Sequence, residues 1–323
     1  MKRIYIAPLI LLSVILVSMS VIVINMNSAL SMSSVQKNTI TTFAKLRTDN
    51  LYKEIQNYAT ENKIEPIDAT IDKVWKAIPG YNGLEVDIEA SYKNMKSGGK
   101  FKPNKLVHKE IKPAVHLEDL DPAPIYRGNP EKPMVSLLIN VAWGNEYIPV
   151  ILETLRKSEI KATFFFDGSW VKKNPELAQL IFADGHEIGN HAYSHPNLQQ
   201  RSAEDTTEEL TMTNDVIKET LGIKPKWFAP PSGSFNQTTI KVADELGMKT
   251  ILWTVDTVDW KKPTPSEMIS RVMKNGMENG TMILMHPTKP VAEGLETLIQ
   301  EIEKKGQKLG TVSEMMSEKR IVK

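Results

Sequence analysis

Cysteine is absent from this chain of 323 residues, which excludes disulfides, thiolate metal sites and cysteine nucleophiles together. The net charge is only +1 at pH 7, so nothing indicates a polyanionic partner such as nucleic acid. No Gly-x-Gly-x-x-Gly motif follows the first strand predicted in the C-terminal half, which weakens a dinucleotide-binding interpretation. Histidine is scarce, with six in all, and two of them, His191 and His195, stand four residues apart.

A long apolar run is present near the N-terminus, over residues 4–24, directly after Lys2 and Arg3. About 20 apolar residues are enough to span a bilayer as a helix. Because the positive charge precedes the run, the N-terminus is expected in the cytoplasm and the rest of the chain outside. We predict an uncleaved membrane anchor over residues 1–27, with a cleaved signal peptide as the alternative. The protein is then a single-pass protein of the cell membrane with extracytoplasmic C-terminal domains.

Residues 28–118 have the composition of a polar stalk followed by a small α/β module. Within it, residues 71–78 have a helical pattern and residues 84–90 alternate like a strand. His108 and His116 stand alone there, and lone histidines are more often surface or packing residues than ligands. One hypothesis for this module is that it contacts another envelope protein. Residues 119–132 are predicted to be a Pro-rich linker. Three prolines lie within this segment, and a fourth, Pro133, directly follows it.

Residues 133–323 alternate short apolar runs with longer amphipathic stretches. About seven such units indicate parallel strands joined by crossover helices. Strands are predicted at 135–141, 187–190 and 249–255, among others. Polar motifs follow the strands, and in a barrel such loops meet at the C-terminal face, where chemistry is placed. The pattern therefore predicts a distorted, incomplete (β/α)7-type barrel rather than a doubly wound sheet.

Two of these motifs decide the chemistry. The spacing of His191 and His195 lets both imidazoles reach one metal ion, which is typical of metallohydrolases. The segment after the first barrel strand, residues 140–143, reads Asn-Val-Ala-Trp and contains no carboxylate. The chain therefore carries only half of a metal-dependent catalytic site.

Five motifs, in their order and spacing, resemble those of the polysaccharide deacetylase family, the NodB-like carbohydrate esterases: residues 140–143, 191–195, 228–233, 256–260 and 284–286. The resemblance covers about residues 133–315. It implies a NodB homology domain, a zinc-like divalent metal and hydrolysis of N-acetyl groups on cell-wall polysaccharide. With the anchor and the extra module included, the whole chain resembles sporulation-associated members from spore-forming bacilli.

The resemblance assigns three losses. Asn140 stands where the family has its general-base Asp, and Val141 stands where it has the Asp that binds metal beside the two histidines. An amide is not basic enough to accept a proton from water, and valine cannot bind a metal. Two ligands remain where catalytic zinc usually has three. Ala229 replaces the family's Arg beside the base, so both members of that charged pair are missing. Asp167 is the nearest carboxylate in sequence that could replace the lost ligand.

The other motifs keep the family's residues. His286 matches the general acid, Asp256 or Asp259 matches the carboxylate that orients it, and Ser232 matches the backbone oxyanion donor. The residues expected to contact substrate are Pro230, Pro231, Trp260 and Leu284. Trp143 is a further groove candidate, whereas a core position is favoured for Trp227.

Two functions remain open on the sequence alone. The first is a slow, anchored deacetylase of cell-wall glycan. The second is a non-catalytic pseudoenzyme that binds glycan or serves as a scaffold during sporulation. The losses at Asn140, Val141 and Ala229 favour little or no deacetylase activity.

Overall fold

The computed structural model of this chain describes residues 49–320, and they fall into two units. The smaller unit contains residues 49–63 and 85–109, and the larger contains residues 64–84 and 110–320. The predicted anchor, residues 1–27, and the predicted stalk lie outside the described residues. Between residues 49 and 320, no helix has the length and apolar character needed to cross a membrane.

The smaller unit is built on helices α1 (Asn50–Glu61) and α2 (Ile88–Met95). Both helices begin at an aspartate whose side chain accepts a hydrogen bond from a first-turn amide, which is a strong start signal. Asp49 accepts from the Leu51 amide at 2.8 Å, and Asp87 accepts from the Ala90 amide at 3.0 Å. The buried side chains of this unit are Leu51, Ile55, Val86 and Met95.

Residues 71–78 do not form the predicted helix. They form an antiparallel hairpin of β1 (Thr70–Asp72) and β2 (Lys76–Ile78). The Asp72 carboxylate accepts from the amides of the next turn, Val74 and Trp75, at 2.7 and 2.8 Å. This local side-chain turn overrides the helical spacing of the apolar residues. Strands β3 (Gly83–Val86) and β4 (His108–Ile111) form a second two-stranded sheet.

The larger unit is organised by one curled sheet of eight parallel strands. Their order is β10-β11-β5-β6-β7-β8-β9, with β12 also beside β5. The strands are β5 (Met134–Val141), β6 (Thr163–Phe166), β7 (Glu187–Asn190), β8 (Trp227–Phe228), β9 (Lys249–Thr250), β10 (Val255–Asp256), β11 (Thr281–Met285) and β12 (Lys308–Gly310). The predicted distorted, incomplete (β/α)7-type barrel is confirmed.

The strand predicted over residues 249–255 is two short strands instead of one. β9 pairs with β8 at one edge of the sheet, and β10 pairs with β11 at the other edge. Ile125 pairs with the chain at this break: its amide donates to Thr250 O at 2.9 Å, and its carbonyl accepts from the Leu252 amide at 2.7 Å. The segment is interrupted because it spans the opening of the barrel.

Helices surround this sheet on the outside. They are α3 (Ile148–Lys157), α4 (Gly168–Lys173), α5 (Pro175–Ala183), α6 (Ala203–Leu221), α7 (Gln237–Glu245), α8 (Pro265–Gly276), α9 (Lys289–Lys304) and α10 (Val312–Met316). The segment 119–132, predicted as a linker, packs on this unit, and its Ile125 and Lys132 are fully buried. The Lys132 ammonium donates to the Ser317 carbonyl at 2.5 Å. The predicted domain boundaries stay predictions.

Every residue of β5 is buried, but its side chains alternate between two sides of the sheet. Ile139 and Val141 belong to the core formed with the helices. Met134 and Leu138 belong to a second core that includes Trp227 and Ala229. Asn140 and Val141, adjacent in sequence, therefore lie on opposite faces of the strand.

Candidate functional site

A cavity of about 430 Å³ contains residues from all five sequence motifs. Its lining residues are Asn140, Ala142, Trp143, His191, His195, Ser232, Trp253, Asp256, Trp260, Leu284 and His286. Of the predicted site residues, Val141, Pro230, Pro231 and Asp259 do not line it. The C-terminal ends of neighbouring parallel strands thus bring the motifs together, as the barrel prediction requires.

The side of the cavity that holds His286 has a complete hydrogen-bond network. Asp259 accepts from His286 Nδ1 at 3.0 Å and from the His286 amide at 3.1 Å. Thr288 Oγ1 and Thr257 Oγ1 donate to the same carboxylate at 2.7 and 2.8 Å. Because Nδ1 donates to Asp259, Nε2 is the ring nitrogen left for a ligand. This is the geometry of an oriented general acid.

Asp259, and not Asp256, is the carboxylate that contacts His286. Asp256 lies in the cavity wall, and its Oδ1 accepts from the Val258 amide at 2.7 Å. Burial opposes the ionisation of Asp259, but hydrogen bonds from His286 and the two threonines outweigh burial. They hold the pKa of Asp259 below its ordinary value. The carboxylate therefore remains charged beside the imidazole.

The two motif histidines lie together on the opposite side of the cavity. Their ring centroids are 5.2 Å apart, edge to face. His191 Nδ1 donates to the Ala229 carbonyl at 2.7 Å, which leaves Nε2 unprotonated. Burial, assisted by the neighbouring His195, lowers the pKa of His191 to about 3. A neutral imidazole oriented by a backbone carbonyl is how proteins prepare a metal-binding nitrogen.

The donor set nevertheless does not fit a tightly held catalytic metal. Val141, at the third ligand position, is fully buried in the core behind the strand. Asp167 caps α4, because its Oδ1 accepts from Ser169 Oγ at 2.7 Å and from the Trp170 amide at 2.8 Å. Within the described part of the chain, no three His, Asp or Glu side chains are grouped closely enough to hold a metal. Catalytic zinc usually needs three protein ligands.

Asn140 lines the cavity, and it is the least satisfied polar group there. Its side chain is 4% exposed, and its Oδ1 is buried without a hydrogen-bond donor. Ala229, at the position of the family's Arg, is also buried and supplies no polar side chain. A buried carbonyl oxygen without a donor costs about 1–3 kcal/mol. Asn140 therefore needs a donor from a ligand or from water.

Strained backbone is concentrated around the cavity. Five of the seven non-glycine residues with left-handed φ between residues 49 and 320 lie in its loops: Ala192, His195, Ser232, Val258 and Lys262. A β-branched residue such as Val258, at φ 55°, rarely adopts this region. Such conformations cost about 1–3 kcal/mol each and persist where the surrounding structure imposes them. The packing around the cavity therefore holds these loops in defined conformations.

Three tryptophans, Trp143, Trp253 and Trp260, contribute to the cavity walls, whereas Trp227 does not. Trp143, a groove candidate from the sequence, stacks on His286 with ring centroids 5.8 Å apart and ring planes 10° apart. Trp253 was not singled out in the sequence. It packs over Gly233, where a Cβ would lie 2.7 Å from the indole ring, so only glycine fits there. Trp227 is buried, as favoured, and its Nε1 donates to Ser313 Oγ at 2.9 Å.

Two other histidines, His186 and His116, have structural contacts. His186 is buried, and its Nδ1 accepts from the Ala162 amide at 3.2 Å. His116 pairs with Glu318 at 2.7 Å. Neither ring lines the cavity.

Comparison with known proteins points to one family. Residues 127–251 match the sequence profile described as polysaccharide deacetylase. The Bacillus subtilis (strain 168) protein YlxY is 54% identical over 290 residues, which cover 90% of this chain and 90% of that one. The peptidoglycan-N-acetylglucosamine deacetylase of Bacillus cereus is 31% identical over 195 residues, 59% of this chain and 70% of that one.

Solved structures show the same relationship. The crystal structure of wild-type BA3943 from Bacillus anthracis, described as a CE4 family pseudoenzyme, is 51% identical and has a TM-score of 0.79. The match covers 85% of this chain and 97% of that chain. A BA3943 mutant described as having restored enzymatic activity also has a TM-score of 0.79, at 50% identity, covering 84% of this chain and 100% of that one.

Proposed function

The chain belongs to the polysaccharide deacetylase family, and we propose that it is a degenerate member that binds N-acetylated cell-wall glycan and removes its N-acetyl groups weakly or not at all. The observation that carries this proposal is Asn140 in the cavity wall, with an amide where the reaction needs a base and an oxygen without a donor. Loss of a general base typically lowers the rate by about 10²–10⁴-fold. The pseudoenzyme relative with the same fold supports this interpretation.

In this proposal the cavity acts as a binding site for the N-acetylated sugar. Asn140 lines this cavity, and a rotation of its side-chain amide would turn the buried, unpaired Oδ1 toward an N–H or O–H donor of a bound sugar. Trp260, 51% exposed, offers an apolar face to a sugar ring. Ser232, held at φ 53°, keeps the turn of the family's oxyanion donor in the wall. Leu284 lines the same cavity, and Pro230 and Pro231 directly precede Ser232 in the chain.

Metal binding in this proposal is loose. His191 and His195 present two nitrogens, and a divalent ion held there would supply Lewis-acid chemistry in an intact family member. Here the missing third ligand leaves the ion exchangeable. No catalytic step is assigned to it.

Slow hydrolysis is the second candidate, and the intact pair of His286 and Asp259 favours it. The pair can protonate a leaving amine even where water is poorly activated. The two candidates differ in one measurable property, because only residual catalysis depends on the ionisable ring of His286.

We also propose that residues 1–27 anchor the chain in the cell membrane with both described units outside, where wall glycan is present. The support is the apolar run over residues 4–24 behind Lys2 and Arg3. We further propose that the protein acts during sporulation and that residues 28–118 contact another envelope protein. Protease accessibility of the C-terminal units in intact cells tests the orientation.

The decisive experiment measures binding and acetate release on the same material. Full-length protein in detergent is titrated with N-acetylglucosamine oligomers and with solubilised peptidoglycan, and acetate is followed enzymatically. We expect saturable binding and turnover at least about 10²-fold below an intact family member. Turnover within tenfold of such an enzyme would contradict weak activity. Absence of binding would contradict the glycan-binding function. Residual acetate release that His286→Gln abolishes would favour slow hydrolysis.

A further inference from the structure

A second cavity of about 450 Å³ adjoins the first. The two share Trp143 and Trp260, whose side chains are 46% and 51% exposed. Large exposed indoles are unusual on a protein surface and mark contact sites for ligands with apolar faces. Together the two cavities form one groove in the larger unit, with two tryptophans at the junction.

The second cavity differs from the first in its charge. Lys262 and Lys289 line it, and Glu293 is its one lining carboxylate among the described residues. Lys289 lies 3.6 Å from Glu293, and both side chains are more than half exposed, so this pair is weak and easily exchanged. Lys261 adds a third ammonium, 4.9 Å from the centroid of the Trp260 ring.

The nearby acidic groups do not neutralise these lysines. Glu267 is already engaged, because its Oε2 accepts from the amide and the hydroxyl of Thr264 at 2.8 Å each. The backbone of Lys262 is fixed at φ 56°, with its amide donating to the Asp259 carbonyl at 2.9 Å. The loop that supplies Lys262 is therefore held in place by the same aspartate that pairs with His286.

We propose that this second cavity binds the sugar next to the N-acetylated one and selects a sugar that carries a carboxylate. The inference rests on the proposed glycan-binding function and names the substrate class of the same groove. Trp143 and Trp260 contact the apolar faces of two successive rings. Lys262 and Lys289 hydrogen-bond the carboxylate, with the Lys289–Glu293 pair opening to release one ammonium. A neutral N-acetylglucosamine chain has no carboxylate for these ammonium groups, so they stay hydrated and add nothing to its affinity.

The test compares two tetrasaccharides on the full-length protein in detergent. One alternates N-acetylglucosamine with peptide-free N-acetylmuramic acid, and the other is the same oligomer with its carboxyl groups reduced to alcohols. Calorimetric titration at low ionic strength is expected to show about tenfold tighter binding of the acidic oligomer. Salt at 0.5 M is expected to remove most of that preference, since it screens exposed charges.

Variants locate the preference. Lys262→Ala and Lys289→Ala are each expected to weaken the acidic oligomer about threefold to fivefold and to leave the reduced one unchanged. Lys304→Ala is the matched control, since it removes an exposed lysine from the far end of α9 and is expected to change neither affinity. Trp143→Ala is expected to weaken both oligomers. Unchanged urea midpoints establish that each variant folds.

The outcomes separate the two proposals. Equal affinity for the two oligomers, or a preference that persists in the double lysine variant, would overturn the carboxylate subsite and leave glycan binding intact. Trp143→Ala without effect on either oligomer would overturn the shared groove. Failure of both oligomers to bind would instead disprove the proposed function from which the subsite is inferred.

Discussion

The two sides of the reaction cavity differ in how completely their polar groups are paired. On the acid side, Asp259 accepts four hydrogen bonds, from His286, Thr257 and Thr288. On the base side, Asn140 Oδ1 has no donor, and position 229 is a buried alanine. The acid side is supported by β10 and β11, and the base side by β5 and β8, so the hydrogen-bond network of one does not include the other. The hydrogen bonds around Asp259 therefore do not depend on the residues at positions 140 and 229.

The largest expected effect comes from restoring the base side as a whole. The triple variant Asn140→Asp, Val141→Asp, Ala229→Arg is expected to raise acetate release by about 10²–10⁴-fold with added zinc or cobalt. Each single change is expected to give little, because the base, the third ligand and the Arg act together. His286→Ala in the triple variant is expected to abolish the gain. A folded, metal-loaded triple variant without gain would mean that the groove no longer accepts substrate.

Val141→Asp alone is expected to reduce the free energy of unfolding by about 3–5 kcal/mol, because it leaves an unpaired charge in the core. Added zinc is expected to restore part of this, because metal binding would draw the new carboxylate at the end of β5 out of the core toward His191 and His195. Urea titrations with zinc and with chelator measure both effects. Val141→Ala controls for lost packing and should not respond to zinc. A zinc-independent loss in Val141→Asp would place residue 141 out of reach of the histidines.

The contrast in pairing predicts a contrast in stability. Asp259→Asn keeps the size of the side chain but turns an amide toward donors, and we expect it to cost about 2–3 kcal/mol. Asn140→Ala removes a buried oxygen that has no donor, and this gain offsets the packing that is lost with the side chain, so we expect a change within about 0.5 kcal/mol. Urea unfolding of both variants checks the pair. Equal losses at the two positions would show that water already satisfies Asn140.

As the pH falls, the stability that depends on neutral His191 is expected to be lost before the stability that depends on charged Asp259. The folded pKa of His191 is lowered to about 3, whereas an unfolded histidine titrates near 6.5. The unfolded chain therefore takes up the proton first, and stability is lost as pH falls below about 6.5. Between pH 7 and 5 this removes about 2 kcal/mol. Asp259, whose pKa is lowered, loses its contribution only below about pH 4.

Urea unfolding at several pH values, with chelator present, measures this loss. His191→Gln is expected to reduce it, because glutamine does not titrate. An identical pH dependence in that variant would assign the loss to other groups, such as His186, whose pKa burial lowers to about 4.

The barrel and the convergence of its motifs were predictable, because apolar runs and amphipathic stretches alternate and parallel strands end at one face. Three features were not. The hairpin at residues 70–78 depends on hydrogen bonds of Asp72 that apolar spacing does not reveal. The break between β9 and β10 depends on Ile125, more than 120 residues away in sequence. Asp256 and Asp259 could be distinguished only by a turn that holds Val258 at φ 55°.

The site was predictable where it matches a motif and unpredictable where it depends on side-chain direction. Trp253 and the lysines of the second cavity belong to no motif that carries chemistry. Strand alternation alone predicts a core position for Val141. The resemblance to the family instead directed attention to position 141 as a metal ligand. The roles of the individual site residues, the metal and the membrane anchor stay predictions.

Asn140 and Val141 point to opposite faces of β5. Substituting aspartate at these two positions is therefore expected to have different effects on stability. Asn140 lines the cavity, so Asn140→Asp changes a side chain that belongs to neither hydrophobic core. Val141 has become part of the hydrophobic core, where a buried valine contributes about 1.5–3 kcal/mol to stability. A lineage that reverts position 141 first becomes less stable unless metal is already abundant. A single substitution at Val141 therefore lowers stability before it can add activity, so we do not expect deacetylase activity to return through one substitution at a time.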